Sequence, residues 1–266
     1  MTVTAESRQC FLEQYRQVRH AEGRGSQDPA YYRALPYQDL TGKNDAMWAM
    51  RARTYSYFET KLLPGWERTA NRPLEILDLG AGNCWMSYRL SLRNHHVTAL
   101  DIFGDPLDGL RAVRSYPFSI AATEAEFNAL PFERNSFDLL IYNAAIHYST
   151  DYVETLREAQ RCLRPSGKVV ILDSPVYRRR EHGLRMVEER KLAYQKKYGF
   201  ASDAMNSIEF LDKPALRSVS VSLGLQWQVY RPWYGWRWHV RPVKALLQRR
   251  RPPSHFWILV GSFPPQ

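Results

Sequence analysis

A short apolar strand that runs directly into a glycine turn is the feature that most constrains the fold of this chain. The run 74–79 is almost continuously apolar, which is typical of a parallel strand buried on both faces of a sheet. Gly80 and Gly82 follow, and glycine allows backbone angles and close approaches that a side chain prevents. A helix predicted from Trp85 would direct its free N–H groups over the turn. The stretch is therefore predicted to hold a nucleotide-like ligand.

A second predicted strand, 96–101, ends on an acidic residue. Asp101 lies 21 positions after Gly80. This spacing places a carboxylate at the end of the second strand beside the first turn, where it can accept hydrogen bonds from ribose hydroxyls. The ligand is therefore predicted to contain a nucleoside.

Strands and helices alternate through the middle of the chain. Further strands are predicted at 136–143 and 168–173, a helix at 150–163, and another helix beginning at Asp105, which can cap it. A helix at 216–223 and strands at 225–230 and 255–263 follow. This alternation favours a parallel, doubly wound α/β sheet centred on residues 71–175 and completed by residues 216–266.

Residues 1–70 are expected to form a helical lid segment. Within it, 45–63 is predicted to be one helix that ends at Pro64 and Gly65. Five of its side chains recur at helical spacing on one face: Trp48, Arg51, Tyr55, Phe58 and Leu62. This face either packs on the core or forms a lid through which Arg51 or Tyr55 reaches an anionic or aromatic part of the ligand.

Residues 176–215 interrupt the alternation and are predicted to be a helical insertion. Their main element is a charged helix, 180–198, stopped by Gly199. Because the insertion follows the fifth strand, it can roof the carboxyl edge of the sheet, where open α/β sheets bind ligands. All four segments are expected to form one structural domain.

The glycine turn also distinguishes two classes of nucleotide ligand. A dinucleotide fingerprint has a third glycine where this chain has Trp85, and here an acid, Asp78, precedes the first glycine. The sequence resembles the class I S-adenosylmethionine-dependent methyltransferases of small-molecule type, and in particular the bacterial methyltransferase domain family 11. The resemblance covers roughly residues 70–175, and its motifs are L-D-L-G-A-G at 77–82, V-T-A-L-D at 97–101, A-L-P-F at 129–132, S-F-D-L-L-I-Y-N at 136–143 and L-R-P-S-G-K-V-V-I-L-D at 163–173.

The resemblance implies a fold and a cofactor. The implied fold is a Rossmann-like, doubly wound, mainly parallel seven-stranded α/β sheet with an antiparallel last strand. The implied cofactor is S-adenosyl-L-methionine, with S-adenosyl-L-homocysteine as the product. Asp101 would bond the ribose hydroxyls, Glu126 the adenine amino group, and Phe127 would flank the adenine ring, while Asp78 would lie by the methionine end. The complete set of cofactor contacts that we predict is Asp78, Gly80, Ala81, Gly82, Asp101, Ile102, Glu126, Phe127 and Asn143, with Arg51 and Tyr55 from the N-terminal segment.

One residue departs from the family pattern. Cys84 stands where the family often has a third glycine. Its Cβ and sulfur would crowd the cofactor or alter its angle, and we expect cofactor binding to survive this change.

Methyl transfer from a sulfonium needs positioning more than acid–base chemistry. The reaction is an in-line displacement with a neutral leaving group, so a base is required only if the acceptor must lose a proton. His147, just after the fourth strand, is the candidate base unless it is a structural histidine, and Asn143 would face the methyl-donor side. Tyr148, Asp173 and Tyr177 are expected to be pocket walls. No metal site is predicted, because the three cysteines are far apart and have no zinc spacing.

The charge of the chain bears on its partners. A net charge of +10 and a pI of about 9.6 suggest acidic partners, and the leading expectation is a small acceptor that is anionic or aromatic. Methylation of RNA is an alternative because of the basic runs 178–180, 196–197 and 249–251, although no RNA-binding module is recognisable. A cofactor-binding module without catalysis is a further alternative.

The stretch 227–241, rich in Trp and Arg, allows two interpretations. It is either a terminal hairpin with aromatics packed on the sheet, or a contact with a membrane surface, with a lipid or quinone as substrate. No apolar run approaches the ~18 residues of a membrane span, and residues 1–6 lack the features of a signal peptide. We expect a cytoplasmic monomer or homodimer.

Overall fold

The computed structural model describes residues 5–264 and contains a seven-stranded, mainly parallel sheet. The strands in chain order are β1 (Glu75–Leu79), β2 (His96–Asp101), β3 (Ala121–Glu124), β4 (Phe137–Asn143), β5 (Leu163–Leu172), β6 (Val176–Tyr177), β7 (Leu211–Asp212), β8 (Gln226–Tyr230) and β9 (Ile258–Ser262). The large sheet has the order β3-β2-β1-β4-β5-β9-β8, and β6 and β7 pair separately.

Helices cover both faces of the sheet. They are α1 (Ala5–Ala21), α2 (Pro29–Ala34), α3 (Asp45–Tyr57), α4 (Leu63–Ala70), α5 (Trp85–Ser91), α6 (Tyr152–Cys162), α7 (Arg180–Tyr198), α8 (Lys213–Leu223), α9 (Trp236–His239) and α10 (Arg241–Leu247). A π-helical turn, Phe58–Leu62, joins α3 to α4, and short 3₁₀ helices span Leu110–Ser115 and Ile146–Tyr148.

β1 is an interior strand of the sheet and pairs in parallel with β2 and β4. Ile76 belongs to a core cluster with Trp48 of α3 and Trp85 of α5. Its neighbour Leu77 belongs to a second cluster with Leu156 of α6. Successive side chains of a strand point to opposite faces, so helices on both faces account for the apolar run. The predicted doubly wound α/β architecture is confirmed.

The sheet ends with a reversal of strand direction. β9 inserts between β5 and β8 and is antiparallel to both, with Val260 opposite Val170 of β5 and Gln228 of β8. The predicted seven-stranded sheet with an antiparallel last strand is therefore confirmed.

The predicted end of the N-terminal helix at Pro64 and Gly65 is wrong. After the π-helical turn, α4 continues to Ala70 and stops at Asn71, whose φ of 51° is left-handed. Pro64 lies in the first turn of α4, where its missing N–H would have no helical partner in any case. Of the predicted lid segment 1–70, residues 1–4 lie outside the described residues.

The helix predicted from Asp105 is also wrong. Asp105 Oδ1 accepts the N–H groups of Leu107 (2.9 Å) and Asp108 (3.0 Å), but they form a turn. The N–H of Leu110 then donates to the carbonyl of Phe103 (2.8 Å) and folds this loop back toward β2. Only the 3₁₀ helix follows. β3 has mostly exposed residues, and no apolar pattern marked it in the sequence.

The insertion forms as predicted around α7, which ends at Gly199 with a φ of 84°. Between β8 and β9 the chain forms α9 and α10 in place of a simple hairpin. Within residues 5–264, no helix is both long and apolar enough to span a bilayer.

Candidate active site

The glycine turn after β1 is held tightly against neighbouring backbone. The N–H of Gly80 donates to the carbonyl of Leu100 at the end of β2 (2.8 Å), and its φ is 70°. A Cβ at this position would lie 2.4 Å from the Cβ of Ala145. Position 80 therefore requires glycine both for its backbone angle and for the close approach of the segment after β4.

Asp101 ties the turn to the end of β2. Its Oδ2 accepts the N–H of Gly82 (2.8 Å), and its Oδ1 accepts the N–H of Phe103 (2.8 Å). A carboxylate can accept about four hydrogen bonds, so each oxygen retains capacity for a ligand hydroxyl. Burial raises the pKa of the Asp101 carboxyl, and the two backbone hydrogen bonds oppose this effect.

A small cavity of about 100 Å³ begins at Asp101. Ile102, Glu126 and Phe127, which we expected to contact the cofactor, line it together with Phe103 and Asn128, for which we had no expectation. The carboxylate of Glu126 accepts a hydrogen bond from Arg8 of α1 (2.9 Å) in an exposed ion pair. The N-terminal segment thus reaches the rim of this cavity.

A larger cavity of about 500 Å³ adjoins the small one. Five residues line both cavities: Phe11, Tyr15, Gly80, Ala144 and Tyr148. Ala81 and Asn143, both predicted site residues, line the larger cavity. The two spaces therefore meet over the glycine turn.

Arginines outnumber carboxylates in the lining of the larger cavity, which also contains Glu22, Asp108 and Asp173. Arg19, Arg24, Arg51 and Arg190 all contribute to its wall. Arg19 pairs with Asp108, Arg24 with Glu22 (3.0 Å) and Arg190 with Glu209 (3.1 Å).

Arg51 is different from these three residues. No carboxylate of residues 5–264 lies within ion-pairing distance of its guanidinium, which packs over the Trp48 ring at 5.1 Å from the centroid. Burial lowers the pKa of Arg51, and the Asp173 charge partly opposes this. Arg51 is thus available to a negatively charged ligand group.

His147 lies in the wall of the same cavity. Its Nδ1 is 3.2 Å from the Ser174 hydroxyl, and its ring packs on Tyr148 with centroids 4.4 Å apart. Burial, together with the positive charges of Arg51 and Arg190, lowers the pKa of His147 to about 3. The imidazole is therefore neutral at neutral pH, and it is a weak base as long as both arginine charges face it.

Asp173 is the second titratable group of this wall. It follows β5 with a φ of 49°, and the Thr54 hydroxyl donates to its Oδ1 (2.6 Å). Burial raises its pKa to about 6, against the opposing influence of Arg51 and of the Thr54 hydrogen bond. Asp173 was expected to lie in a pocket wall, and it lines this cavity. No sequence pattern indicated its contact with Thr54 of α3.

Four predicted residues line neither cavity: Asp78, Gly82, Tyr55 and Tyr177. Asp78 is buried beneath the turn and accepts the Ser87 hydroxyl at Oδ2 (2.6 Å), and its Oδ1 has no hydrogen-bond partner within residues 5–264. Tyr55 packs in the core against Trp85, with ring centroids 5.4 Å apart. Tyr177 contacts Phe210. No cavity lining includes them, so the structure gives no support to direct contacts from these side chains.

Cys84 also faces the core. Its Sγ lies 3.6 Å from the carbonyl of Gly82 and 3.8 Å from that of Leu110, and it lines neither cavity. The crowding of the cofactor that we expected from this side chain is therefore not supported. Its φ of 62° explains why glycine suits this position.

Several cavity residues come from segments that the sequence analysis could place only as a lid. Tyr15 and Arg19 belong to α1, and Arg190 and Tyr194 to α7. Aromatic and cationic residues recur on both helices, but charged helices usually face solvent, so the pattern alone did not distinguish a lining from a surface.

Comparison with known proteins agrees with this geometry. Residues 77–171 match the model of a family described as a methyltransferase domain. A malonyl-[acyl-carrier protein] O-methyltransferase of Erwinia billingiae is 31% identical over 102 residues, which cover 38% of this chain and 39% of that protein. A ubiquinone/menaquinone biosynthesis C-methyltransferase of Allorhizobium ampelinum is 27% identical over 165 residues, covering 60% and 62%. The matched regions span less than two thirds of either relative.

The fold is also found among solved structures. An S-adenosylmethionine dependent methyltransferase from Mesorhizobium loti superimposes with a TM-score of 0.52 at 17% identity, covering 71% of this chain and 90% of that one. This likeness concerns the fold alone.

Proposed function

We propose that this chain, whose residues 77–171 form a class I methyltransferase domain, transfers a methyl group from S-adenosylmethionine to a small acceptor that carries a negative charge. The observation that carries the proposal is the junction of the two cavities over Gly80, with Asp101 at the end of one and Arg51 in the wall of the other. A donor can lie across this junction and present its sulfonium to an acceptor in the larger cavity.

The small cavity suits the adenosine part of the donor. Asp101 has free acceptor capacity for ribose hydroxyls, and Glu126 and Phe127 offer a hydrogen-bond acceptor and an aromatic face for adenine. The methionine part would then lie over the glycine turn, near Ala81 and Asn143. The backbone of the turn can approach it closely because Gly80 has no side chain.

The chemistry that S-adenosylmethionine supplies is an activated methyl group on a positively charged sulfur. The chain must hold the acceptor in line with that methyl group and exclude water, which α1 and α7 favour by covering the larger cavity. Asn143 lines the larger cavity beside Ala144, which lines both, and its amide can orient a polar group of a ligand there.

The charge of the larger cavity supports an anionic acceptor. Among the described residues, no carboxylate pairs with the Arg51 guanidinium, and Arg190, which pairs with Glu209, lies in the same wall. Arginine binds carboxylates and phosphates in a bidentate manner, so a carboxylate or phosphate group suits this site. An anion bound there would also offset the charges that keep the His147 pKa at about 3.

A proton acceptor is present if the methylated atom must lose a proton. Asp173, with a pKa of about 6, is mostly ionised at neutral pH and is a stronger base than His147 in the unliganded protein. We assign the role of proton acceptor to Asp173. His147 takes this role only when a bound anion raises its pKa.

The two relatives differ in the reactions that their names state. One is a malonyl-[acyl-carrier protein] O-methyltransferase, and the other is a ubiquinone/menaquinone biosynthesis C-methyltransferase. The first is compatible with an acceptor that carries an acidic group. For this chain, the arginine lining is the argument that favours the anionic acceptor over the neutral quinone.

Calorimetry with S-adenosylhomocysteine tests the cofactor site. The wild-type protein should bind it, and Asp101→Ala should weaken binding by at least about tenfold, since it removes hydrogen bonds to a charged group. Glu154→Ala, which removes an exposed carboxylate of α6, is the matched control and should bind like wild type. Absence of binding to the wild-type protein, or equal binding by Asp101→Ala, would refute the proposal.

A methyl-transfer assay with labelled S-adenosylmethionine tests the acceptor class. Small carboxylates and phosphate esters should be methylated in preference to neutral phenols and quinones, and Arg51→Gln should raise KM for them. Labelling of bulk tRNA or quinones alone would overturn the anionic small-molecule assignment. If Arg51→Gln bound S-adenosylhomocysteine more weakly and left the acceptor KM unchanged, Arg51 would contact the cofactor and not the acceptor.

A further inference from the structure

The segment 231–251, which joins β8 to β9, exposes an unusual amount of apolar surface. Six large apolar side chains are largely exposed: Trp233 (67%), Trp236 (65%), Val240 (46%), Val243 (59%), Leu246 (76%) and Leu247 (80%). Isolated exposed apolar side chains are common, but a contiguous group of them marks an interaction surface. We call the side of the segment that carries these residues its outer face.

Four of these six side chains recur at helical spacing. The N–H of Val240 donates to the Trp236 carbonyl (3.1 Å) and the N–H of Lys244 to the Val240 carbonyl (3.0 Å), so helical hydrogen bonding passes from α9 to α10. Positions 236, 240, 243 and 247 then recur at intervals of three and four residues, which places them on the same side of a helix. Trp236, Val240, Val243 and Leu247 therefore form one stripe, with Leu246 beside Leu247 and Trp233 in the loop before α9.

The same segment is strongly cationic. It contains seven lysines and arginines and no aspartate or glutamate. Arg237, Lys244, Arg249 and Arg250 are exposed, and none of them has a carboxylate partner within residues 5–264. An apolar stripe flanked by unpaired cations is the pattern of an amphipathic segment that lies in a bilayer interface.

The inner face of the segment is fixed to the protein. The Tyr234 hydroxyl donates to the Phe256 carbonyl (2.7 Å), and Trp238 packs on both Tyr234 and Phe256, with centroids 4.8 and 5.6 Å away. Arg53 of α3 also donates to the Tyr234 carbonyl. Since these contacts hold the inner face, the outer stripe cannot turn inward to be buried.

We propose that the outer face of segment 231–251 binds the surface of an anionic lipid bilayer. Trp233, Trp236 and Leu247 enter the headgroup region, and the unpaired cations contact anionic headgroups. An RNA would use the cations and could stack bases on the Trp side chains, but it would leave the exposed Val and Leu side chains in water, so charge and apolar exposure together favour the bilayer. Phe256 also lines the larger cavity, so the contact would hold that cavity next to the membrane. The proposal does not depend on the methyltransferase activity.

Vesicle flotation tests this surface with the full chain. The wild-type protein should float with vesicles of phosphatidylglycerol and phosphatidylcholine in equal amounts and should not float with pure phosphatidylcholine. Trp236→Ser with Leu247→Ser removes the apolar contact and should abolish flotation. The matched control, Leu192→Ser with Val221→Ser, changes two apolar side chains of similar exposure (63% and 79%) on α7 and α8 and should bind like wild type.

Charge reversal gives the second variant. Arg249→Glu with Arg250→Glu should weaken vesicle binding by at least about tenfold, because each basic residue near the surface contributes to the attraction. Arg134→Glu with Arg157→Glu makes the same charge change at exposed positions elsewhere and should retain most of the binding. Thermal melting confirms that each variant is folded.

Three results would overturn the proposal. They are failure of the wild-type protein to float with anionic vesicles, tRNA binding that depends on Arg249 and Arg250 but not on the apolar stripe, and a dimer in sedimentation velocity that Trp236→Ser with Leu247→Ser dissociates. S-adenosylhomocysteine binding, measured on the same samples, separates failure of this surface from failure of the cofactor site.

Discussion

The hydroxyl of Thr54 lies 2.6 Å from Asp173 Oδ1 and joins α3 to the end of β5. The Thr54 oxygen is also 2.9 Å from the Tyr234 hydroxyl, which belongs to the segment between β8 and β9. The N-terminal segment, the sheet and the C-terminal segment therefore meet at one buried polar cluster. Because Asp173 lines the larger cavity, contacts between segments distant in sequence shape its wall.

Replacing Thr54 by valine should test this cluster. Thr54→Val keeps the shape of the side chain but leaves the buried Asp173 carboxylate without this donor, so the free energy of unfolding should fall by about 1–3 kcal/mol. The pKa of Asp173 should rise further, since the hydrogen bond favours the ionised form. Urea denaturation measures the first effect. Thr60→Val, at an exposed position, is the control, and an equal loss in both variants would contradict the assignment.

The parallel core of the fold could be predicted because burial leaves a pattern in sequence. β1, β2 and β4 correspond to runs of mostly apolar residues. Asp101 could be identified because it ends the second predicted strand, 21 positions after Gly80. β3 could not be recognised, because its position at the sheet edge leaves most of its residues in water. The end of α4 was misplaced because Pro64 breaks a helix interior but is tolerated in a first turn, and sequence alone does not show that a π-helical turn precedes it.

The cofactor side of the candidate site was more predictable than the acceptor side. Gly80 and Asp101 belong to motifs of fixed spacing, and both line one small cavity with Phe127, which the family resemblance implied. Tyr15 of α1 and Arg190 of α7 are 175 positions apart in the sequence but line the same cavity. Only tertiary packing brings them together, and no local pattern records that packing.

The close approach at Gly80 predicts a steric effect beyond backbone strain. Gly80→Ala places a Cβ 2.4 Å from that of Ala145 at a φ of 70°, so strain and overpacking add. Gly42 has a similar φ of 67°, but a Cβ there would meet no atom within 4 Å. Gly42→Ala should therefore lower the free energy of unfolding by only about 1–2 kcal/mol, the cost of a left-handed residue. In urea denaturation, the free energy of unfolding of Gly80→Ala should fall by about 1–3 kcal/mol more than that of Gly42→Ala. Gly80→Ala should also lose S-adenosylhomocysteine binding. Equal costs at the two positions would show that the turn can relax.

The low pKa of His147 should depend on Arg51. Arg51→Gln removes one of the two positive charges that oppose protonation of the imidazole, so its pKa should rise from about 3. NMR titration of histidine ring carbons in labelled protein measures the change. Arg68→Gln, an exposed arginine of α4, is the control and should leave the His147 resonance unchanged. An unshifted titration in Arg51→Gln would mean that the Arg51 charge does not lower this pKa.

The three cysteines should react at different rates. Burial raises the pKa of the Cys84 thiol and raises that of Cys162 to about 11, while Cys10 is exposed on α1. The thiolate is the reactive form, so a thiol reagent should modify Cys10 alone in the native protein, and all three in denaturant. Cys10→Ser should remove the fast phase in an absorbance assay. A second fast phase in that variant would show that the core around Cys84 or Cys162 opens readily.

Asp78 should make stability depend on pH in a direction opposite to that of a salt-bridged carboxylate. Burial raises its folded-state pKa to about 6, against an ordinary value of 3.8, so the folded protein holds this proton more tightly than the unfolded chain. Above pH 6 the buried Asp78 carboxylate therefore lowers the free energy of unfolding by roughly 3 kcal/mol. This loss disappears as the pH falls toward 4.

Asp78→Asn removes this titration while its amide oxygen can still accept the Ser87 hydroxyl. The free energy of unfolding of the variant, relative to wild type, should therefore rise by roughly 3 kcal/mol between pH 4 and pH 8. Urea denaturation across this range measures the difference. Ser87→Ala, which removes a hydrogen bond that favours the ionised form, should move the wild-type transition to higher pH. A difference between Asp78→Asn and wild type that stays constant with pH would show that Asp78 has an ordinary pKa in the folded protein.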